Sequence, residues 1–354
     1  MNKKLSFYQL LQLDPIQLTK LALATGDHKK RRYYKGIILL RSILLVTFAM
    51  LFIIISTSIF GKENASIAVA FFCIILQSKF VGYNYNIKTT LINFAVICTI
   101  MGFSGAIIPK LPALLGFIIN FILLFTITVM TCDDPRMGNV GIYAFAYLFS
   151  TYFPPTNQYE FKMRLIQVFC GFILCGLILY HKHHAEFAND KFINVIKRFS
   201  FKEEKCRWQF RLAFGISLGL FIGQALHLPR YFWVGVASLS MLSPYKLKLK
   251  KRMFQRIIGI VVGSCLFGVI YKVLPHSMVS ILGPIGGFLV GFTTTYHWST
   301  VFNCFGALVL ASAIYGGKFS VELRIFNNIL GCVISILFIL IFMHITQRKY
   351  HCDD

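Results

Sequence analysis

Apolar runs recur along the chain from residue 37 to residue 345, and several are as long as the ~20 consecutive apolar residues that cross a bilayer as a helix. In hydrocarbon each backbone N–H and C=O must be satisfied without water, so an isolated run of this length is helical. Only 14% of the residues are charged, against roughly 25% in an average soluble chain, which leaves little polar surface for a water-soluble fold. The runs occupy residues 37–60, 65–82, 90–108, 112–131, 138–154, 162–180, 208–226, 230–244, 253–273, 278–296, 299–315 and 322–345, about twelve in all. The expected fold class is an all-α polytopic membrane protein, and the default location is the cell membrane.

The formal net charge is +23, and in a membrane protein such an excess is first a topology signal, because Lys and Arg gather in cytoplasmic loops. With the N-terminus inside, the cytoplasmic segments are 1–36, 79–89, 132–137, 181–207, 245–252 and 346–354, and they hold most of the 36 Lys and Arg residues. The external loops hold only Lys62, Lys110, Lys162, Arg230, Lys272 and Lys318. The cluster KLKLKKR at 246–252 then marks the inner face and has anionic lipid as its natural neighbour, not nucleic acid. The first 36 residues carry no uninterrupted apolar core and read as an interfacial or cytoplasmic segment broken at Pro15.

The even number of runs divides into two halves of the same orientation. The closing runs correspond best: MRLIQVFCG at 163–171 and LRIFNNILG at 323–331 share an Arg followed after six residues by Gly. Arg41 and Arg211 likewise follow a basic segment at the start of each half. The expected organisation is a basic N-terminal segment (1–36), a first six-helix repeat (37–180), a short basic linker (181–207), a second six-helix repeat (208–345) and a cytoplasmic tail (346–354), with both termini inside. Gly215, Gly219 and Gly223, then Gly259 and Gly263, then Gly283, Gly287 and Gly291 repeat every four residues, a pattern that lets helix backbones approach closely.

In the second half RWQFRLAFGISLGLFIG, FWVGVASLSMLSP and RMFQRIIGIVVG follow in order. This resembles the membrane domain of the fusaric acid resistance and aromatic acid exporter family, through Arg211, Trp233, Pro244, Arg256, Gly259 and Gly263. The resemblance is specific over about residues 207–275 and extends loosely to 345 through Arg324 and Gly331. The first half departs from the pattern, with Asn93 roughly where Arg256 stands in the second. The resemblance implies export of organic anions, with aromatic carboxylates the foremost class.

The residues bear on the same question. All 13 acids lie outside the apolar runs or at their ends, whereas Arg41, Arg164, Arg211, Arg256 and Arg324 lie inside them or at their mouths. A cation there pairs, faces a polar pathway or snorkels to the headgroups. These five are the candidate substrate-pathway residues. Asp133 and Asp134, at the inner end of the fourth run, are candidates for coupling a proton or cation, with helix capping as the alternative. No P-loop is present, so export would draw on the membrane potential or a proton gradient.

Most of the 10 cysteines lie in apolar runs and read as small core residues. His181, His183 and His184 lack ligand partners at metal spacing, so no metal or cofactor is expected. No nucleophile, base and acid are grouped in the apolar runs, which argues against an enzyme. The expected partners are a small organic anion and anionic lipid, and nothing in the sequence sets an oligomeric state. The competing function is a non-transporting scaffold or accessory subunit of an envelope complex.

Overall fold

The computed structural model describes residues 5–135, 139–243 and 249–350, and every regular element among them is helical. Pro244, Lys246 and Lys248 lie outside the described residues. The helices are α1 (Phe7–Gln12), α2 (Pro15–Ala24), α3 (His28–Phe60), α4 (Ala65–Ser78), α5 (Ile87–Ile107), α6 (Ala113–Thr131), α7 (Asn139–Thr151), α8 (Gln158–His183), α9 (Phe192–Lys197), α10 (Glu204–Ala225), α11 (Phe232–Leu242), α12 (Leu249–Val273), α13 (Leu282–Val290), α14 (Tyr296–Tyr315) and α15 (Gly317–Tyr350).

Each expected run contains a helix, but among the described residues seven helices are long and apolar enough to cross a membrane: α3, α5, α6, α8, α12, α14 and α15. Their number and apolarity make this a multi-pass membrane protein. The other runs fall short for physical reasons. α4, α7, α11 and α13 have 14, 13, 11 and 9 residues, below the roughly 20 a straight crossing needs. α10 has 22 residues but opens on Glu204, Lys205, Arg207 and Arg211.

The basic N-terminal segment is more ordered than its composition suggests. Ser6 and Gln9 form a reciprocal cap on α1, and the Asp14 carboxylate accepts from the Gln17 amide at 2.6 Å to cap α2. Pro15, read from sequence as a break, is the first residue of α2, where its missing N–H costs nothing and its fixed φ suits a helix. Leu10 and Leu18 pack against Ile37 and Ile38. α3 therefore starts at His28 and takes the basic stretch HKKRRYYKG into its first turns.

The chain forms two compact units, one of residues 1–51 with 250–326, the other of residues 52–249 with 327–354. In the first, Ile260 and Phe267 of α12 pack with Val279, Leu282 and Cys304, Phe305, Leu308 of α14. In the second, α10 packs on α6 and α11, and α4 and α5 pack on α7 and α8.

Helix crossings are set by glycine. A Cβ on Gly219 would stand 2.6 Å from Ser238 Oγ, one on Gly223 2.7 Å from Tyr231 Cβ, and one on Gly215 would meet Leu242, so one face of α10 lies against α11. A Cβ on Gly259 would lie 2.9 Å from the His297 carbonyl, and one on Gly263 would meet the Val301 carbonyl, which puts α12 backbone against α14 backbone. The closing helices repeat one arrangement: a Cβ on Gly171 of α8 would stand 2.6 Å from the Phe71 ring of α4, and one on Gly331 of α15 would stand 2.6 Å from both the Val234 carbonyl and Ala237 Cβ of α11. Likewise Gly102 of α5 meets Leu165 of α8, and Gly268 of α12 meets Val321 of α15.

Where the neighbour is backbone it cannot swing away, so Gly263→Ala and Gly331→Ala are each expected to cost about 1–3 kcal/mol. Gly36 and Gly306 have open space at the Cβ position, and alanine there should be neutral or stabilising by up to ~1 kcal/mol. Thermal unfolding of the purified variants in one detergent checks the contrast.

Candidate functional site

A helix leaves its last four carbonyls without intrahelical partners. α4, α6 and α7 end at buried residues: Ser78, Thr131 and Thr151 are each 1% exposed or less. Water cannot serve those carbonyls, so side chains from neighbouring helices must. That requirement explains the placement of several buried polar residues of the second unit.

Arg164 is the strongest case. It is 0% exposed, and its three nitrogens all donate: Nε to Asn64 Oδ1 at 3.1 Å, Nη1 to the Ser150 carbonyl at 2.9 Å and Nη2 to the Phe153 carbonyl. A cation on the C-terminal carbonyls of α7 also meets the negative end of that helix dipole. Asn64 in turn donates to the Phe60 and Glu160 carbonyls at 3.0 and 3.1 Å, which ties the turn before α4 to the start of α8. Gly105 makes the room, since a Cβ there would lie 2.6 Å from the Ser150 carbonyl.

The far end of α8 repeats the device. His183 Nε2 lies 2.9 Å from the Ser78 carbonyl, the end of α4, and Nδ1 lies 2.8 Å from Glu186 Oε2. Tyr85 Oη donates to the Met130 carbonyl at 2.6 Å, and Gln209 Nε2 to the Cys132 carbonyl at 2.7 Å, which together serve the end of α6. Sequence reasoning weighed the histidine cluster only for metal; among the described residues no grouping could hold a metal ion, and the described cysteines are free thiols. The signal that could have found these residues is a lone amide, hydroxyl or imidazole inside an apolar helix, each of which needs a partner. Asn120 is another, bridging the Gly116 carbonyl and the Tyr147 and Tyr152 hydroxyls.

The other arginines have different surroundings. Arg41 is half-buried on α3, within the field of the Asp14 carboxylate that caps α2. Arg211 is half-buried on α10, and Arg324 is buried on α15. One turn after Arg324, Asn327 donates to the Pro229 and Arg230 carbonyls at 2.9 and 3.3 Å, holding the turn before α11. Trp233 is buried, with the Arg230 guanidinium 5.6 Å from its ring. Arg256 is buried and donates from Nη1 to Tyr296 Oη at 3.1 Å; Arg252, one turn earlier, lies over the same Tyr296 ring at 4.1 Å.

Asp133 lies between α6 and α7 and pairs with Lys205 at 2.7 Å and Arg198 at 3.8 Å. Asp134 accepts from Cys132 Sγ through its backbone carbonyl. Arg198 also bonds Asp190 at 2.7 Å, and the Asp190 carbonyl accepts from the Asn86 amide before α5. The Asn194 amide and the Arg198 guanidinium hold the Asp190 carboxyl below its ordinary range. The linker is thus latched to the first half at both acids.

Two outcomes follow. Arg164→Met should lower stability by about 3 kcal/mol or more, since orphaned buried acceptors cost roughly 1–3 kcal/mol each; Gly105→Ala should act in the same direction, both read as thermal unfolding in detergent. A depressed carboxyl pKa contributes stability that is present above the unfolded-state value and lost as pH falls through the folded one. Hydrogen exchange over residues 184–199 should therefore accelerate as pH drops below the ordinary carboxylate range, and Asp190→Asn should abolish that pH step.

Residues 218–338 match the family described as fusaric acid resistance protein-like. No curated protein and no solved structure matches the chain. The matched segment takes in α11 to α14 with Trp233, Arg256, Gly259 and Gly263, and runs on through Arg324 and Gly331 of α15; over it the chain is similar to that family.

Proposed function

We propose that the protein exports small organic anions, aromatic carboxylates or similar, across the cell membrane. Its frame is about twelve membrane segments in two six-helix repeats of the same orientation. The observation that carries the reading is the family-matched region itself, which buries Arg256 and Arg324 in apolar helices while all 13 acids stay outside the runs or at their ends. Proton and cation carriers display intramembrane carboxylates instead. The paired crossings of α8 on α4 and α15 on α11 support the repeat.

The pathway candidates divide by their partners. Arg164 donates from all three nitrogens to protein acceptors, which suits a structural cap. Arg41, Arg211, Arg256 and Arg324 are the residues proposed to line the anion path. Asp133, engaged by Lys205 and Arg198, suits a latch on the linker better than a coupling group. An inside-negative potential alone drives an anion outward, by about 2.3 kcal/mol per charge per 100 mV, so no second energy source is required, and a proton gradient is the alternative supply.

Purified protein in proteoliposomes, given benzoate or malate under an imposed potential, should show saturable flux with the sign of an anion. Arg256→Gln and Arg324→Gln should each cut the initial rate about tenfold, the effect of one lost charge-assisted hydrogen bond. If no anion in a broad panel moves faster than through empty liposomes, the scaffold reading replaces this one.

A further inference from the structure

α3 has 33 residues, about 50 Å of helix at 1.5 Å per residue, which exceeds the ~30 Å of hydrocarbon a crossing needs. Its apolar run starts at Ile37, so the turns before it, with Lys29, Lys30, Arg31, Arg32 and Lys35, stand outside the hydrocarbon. α2 runs back along these turns. Only Thr25, Gly26 and Asp27 join the two helices, the short connection of an antiparallel helix pair, and the Asp27 carboxylate accepts from the Lys29 amide at 2.8 Å. Leu10 and Leu18 pack with Ile37 and Ile38, Leu21 and Tyr34 join the same cluster, and the Asp14 carboxylate acts on Arg41. The pair therefore descends in register, with Leu21 level with Tyr34, Leu18 with Ile37, and Asp14 with Arg41, about 6 Å beyond the start of the apolar run.

Water is scarce at that depth, and the segment carries what such a place requires. Ser6 and Gln9 serve the start of α1 at 3.2 and 2.9 Å, and Asp14 serves the start of α2 at 2.6 Å, so the capped amides do not depend on water. α2 also has two apolar faces. Leu18 and Ala22 are buried, whereas Ile16 and Leu23, which share a face at seven-residue spacing, are 45% and 66% exposed, and Phe7 of α1 is 50% exposed. Lys20 lies between Ile16 and Leu23 on that face, level with Lys35. Residues 14–35 hold six cations against two acids, Asp14 and Asp27, and both acids are engaged as caps. An exposed apolar face set among unopposed cations is complementary to anionic lipid.

We propose that α1 and α2 form a wedge inserted into the membrane surface beside α3. Phe7 and Ile16 enter the boundary between headgroups and acyl chains, Leu23 lies among the headgroups, and Lys20 with the basic turns of α3 holds the phosphates of anionic phospholipid. An amphipathic helix of this kind buries its apolar face about 5–10 Å into that boundary, which matches the depth of the Asp14 and Arg41 level. Residue order alone left an interfacial and a cytoplasmic place open for this segment; the packing of Leu10 and Leu18 on the first apolar residues of α3 favours the interface. The wedge does not depend on what the protein transports.

Photo-crosslinking of the full chain in nanodiscs of phosphatidylcholine and phosphatidylglycerol tests the wedge. Phe7→p-benzoylphenylalanine and Ile16→p-benzoylphenylalanine should each capture phospholipid, about tenfold more than Asp27→p-benzoylphenylalanine, because Asp27 lies ten residues before Ile37, about 15 Å further out. Mass spectrometry of the adducts reads the result. Equal lipid capture at the three positions, in variants that melt as wild type does, overturns the insertion; capture of a second copy of the chain in place of lipid assigns the face to self-association and overturns it too. Hydrogen exchange of the wild type needs no substitution. Amides of residues 7–24 should exchange about tenfold more slowly in nanodiscs containing phosphatidylglycerol than in phosphatidylcholine alone, with α5 and α8 unchanged. Exchange that ignores lipid charge overturns anionic phospholipid as the partner. Ile16→Glu should raise exchange over the same residues about tenfold, since an acid is expelled from the boundary, and wild-type exchange in that variant speaks against a buried Ile16.

Discussion

The buried ends of short helices are the constraint around which the larger unit is built. α4 and α7 stop at Ser78 and Thr151 inside the protein, where an uncapped carbonyl has no water to turn to. One long helix, α8, serves both: Arg164 near its start caps α7, and His183 at its end caps α4. α6 is served in the same manner by Tyr85 and Gln209. The polar residues of these apolar helices thus form a set of cross-helix caps, and each fixes the register of the helix it ends.

Close backbone approach is the complementary device. Hydrocarbon supplies no hydrophobic drive between helices, so packing must come from contact area and small residues. Gly171 and Gly331 admit the faces of α4 and α11, and Gly259 and Gly263 admit α14. Where glycine removes a side chain, a neighbouring polar group fills the gap with a defined bond, as Ser238 does toward the Gly331 carbonyl at 3.5 Å. At the α12 and α14 crossing the same spacing that packs the helices delivers Tyr296 to Arg256.

Much of this was legible in residue order. Apolar run length marked helices at every expected position, and the spacing of Gly215, Gly219 and Gly223 marked a face where backbones could meet. Sequence pattern did not separate one arginine from another, since Arg164 and Arg324 occupy equivalent places in similar strings. One partner of Arg164, Asn64, comes from a hundred positions away. Nor did it reveal Arg252 as a companion of Arg256, because a cluster of cations beside an apolar run reads as a loop, whereas α12 already begins at Leu249.

Apolar content, the charge pattern and glycine spacing by themselves determined a helical, multi-pass chain with a family-like second half, because solvent preference and backbone proximity act locally along the string. The tertiary structure decided which polar groups are spent on the fold and which pair of arginines faces a common ring. That choice depends on where helices end and cross, because a helix-end carbonyl or a shared ring meets a guanidinium only when separate helices pack together.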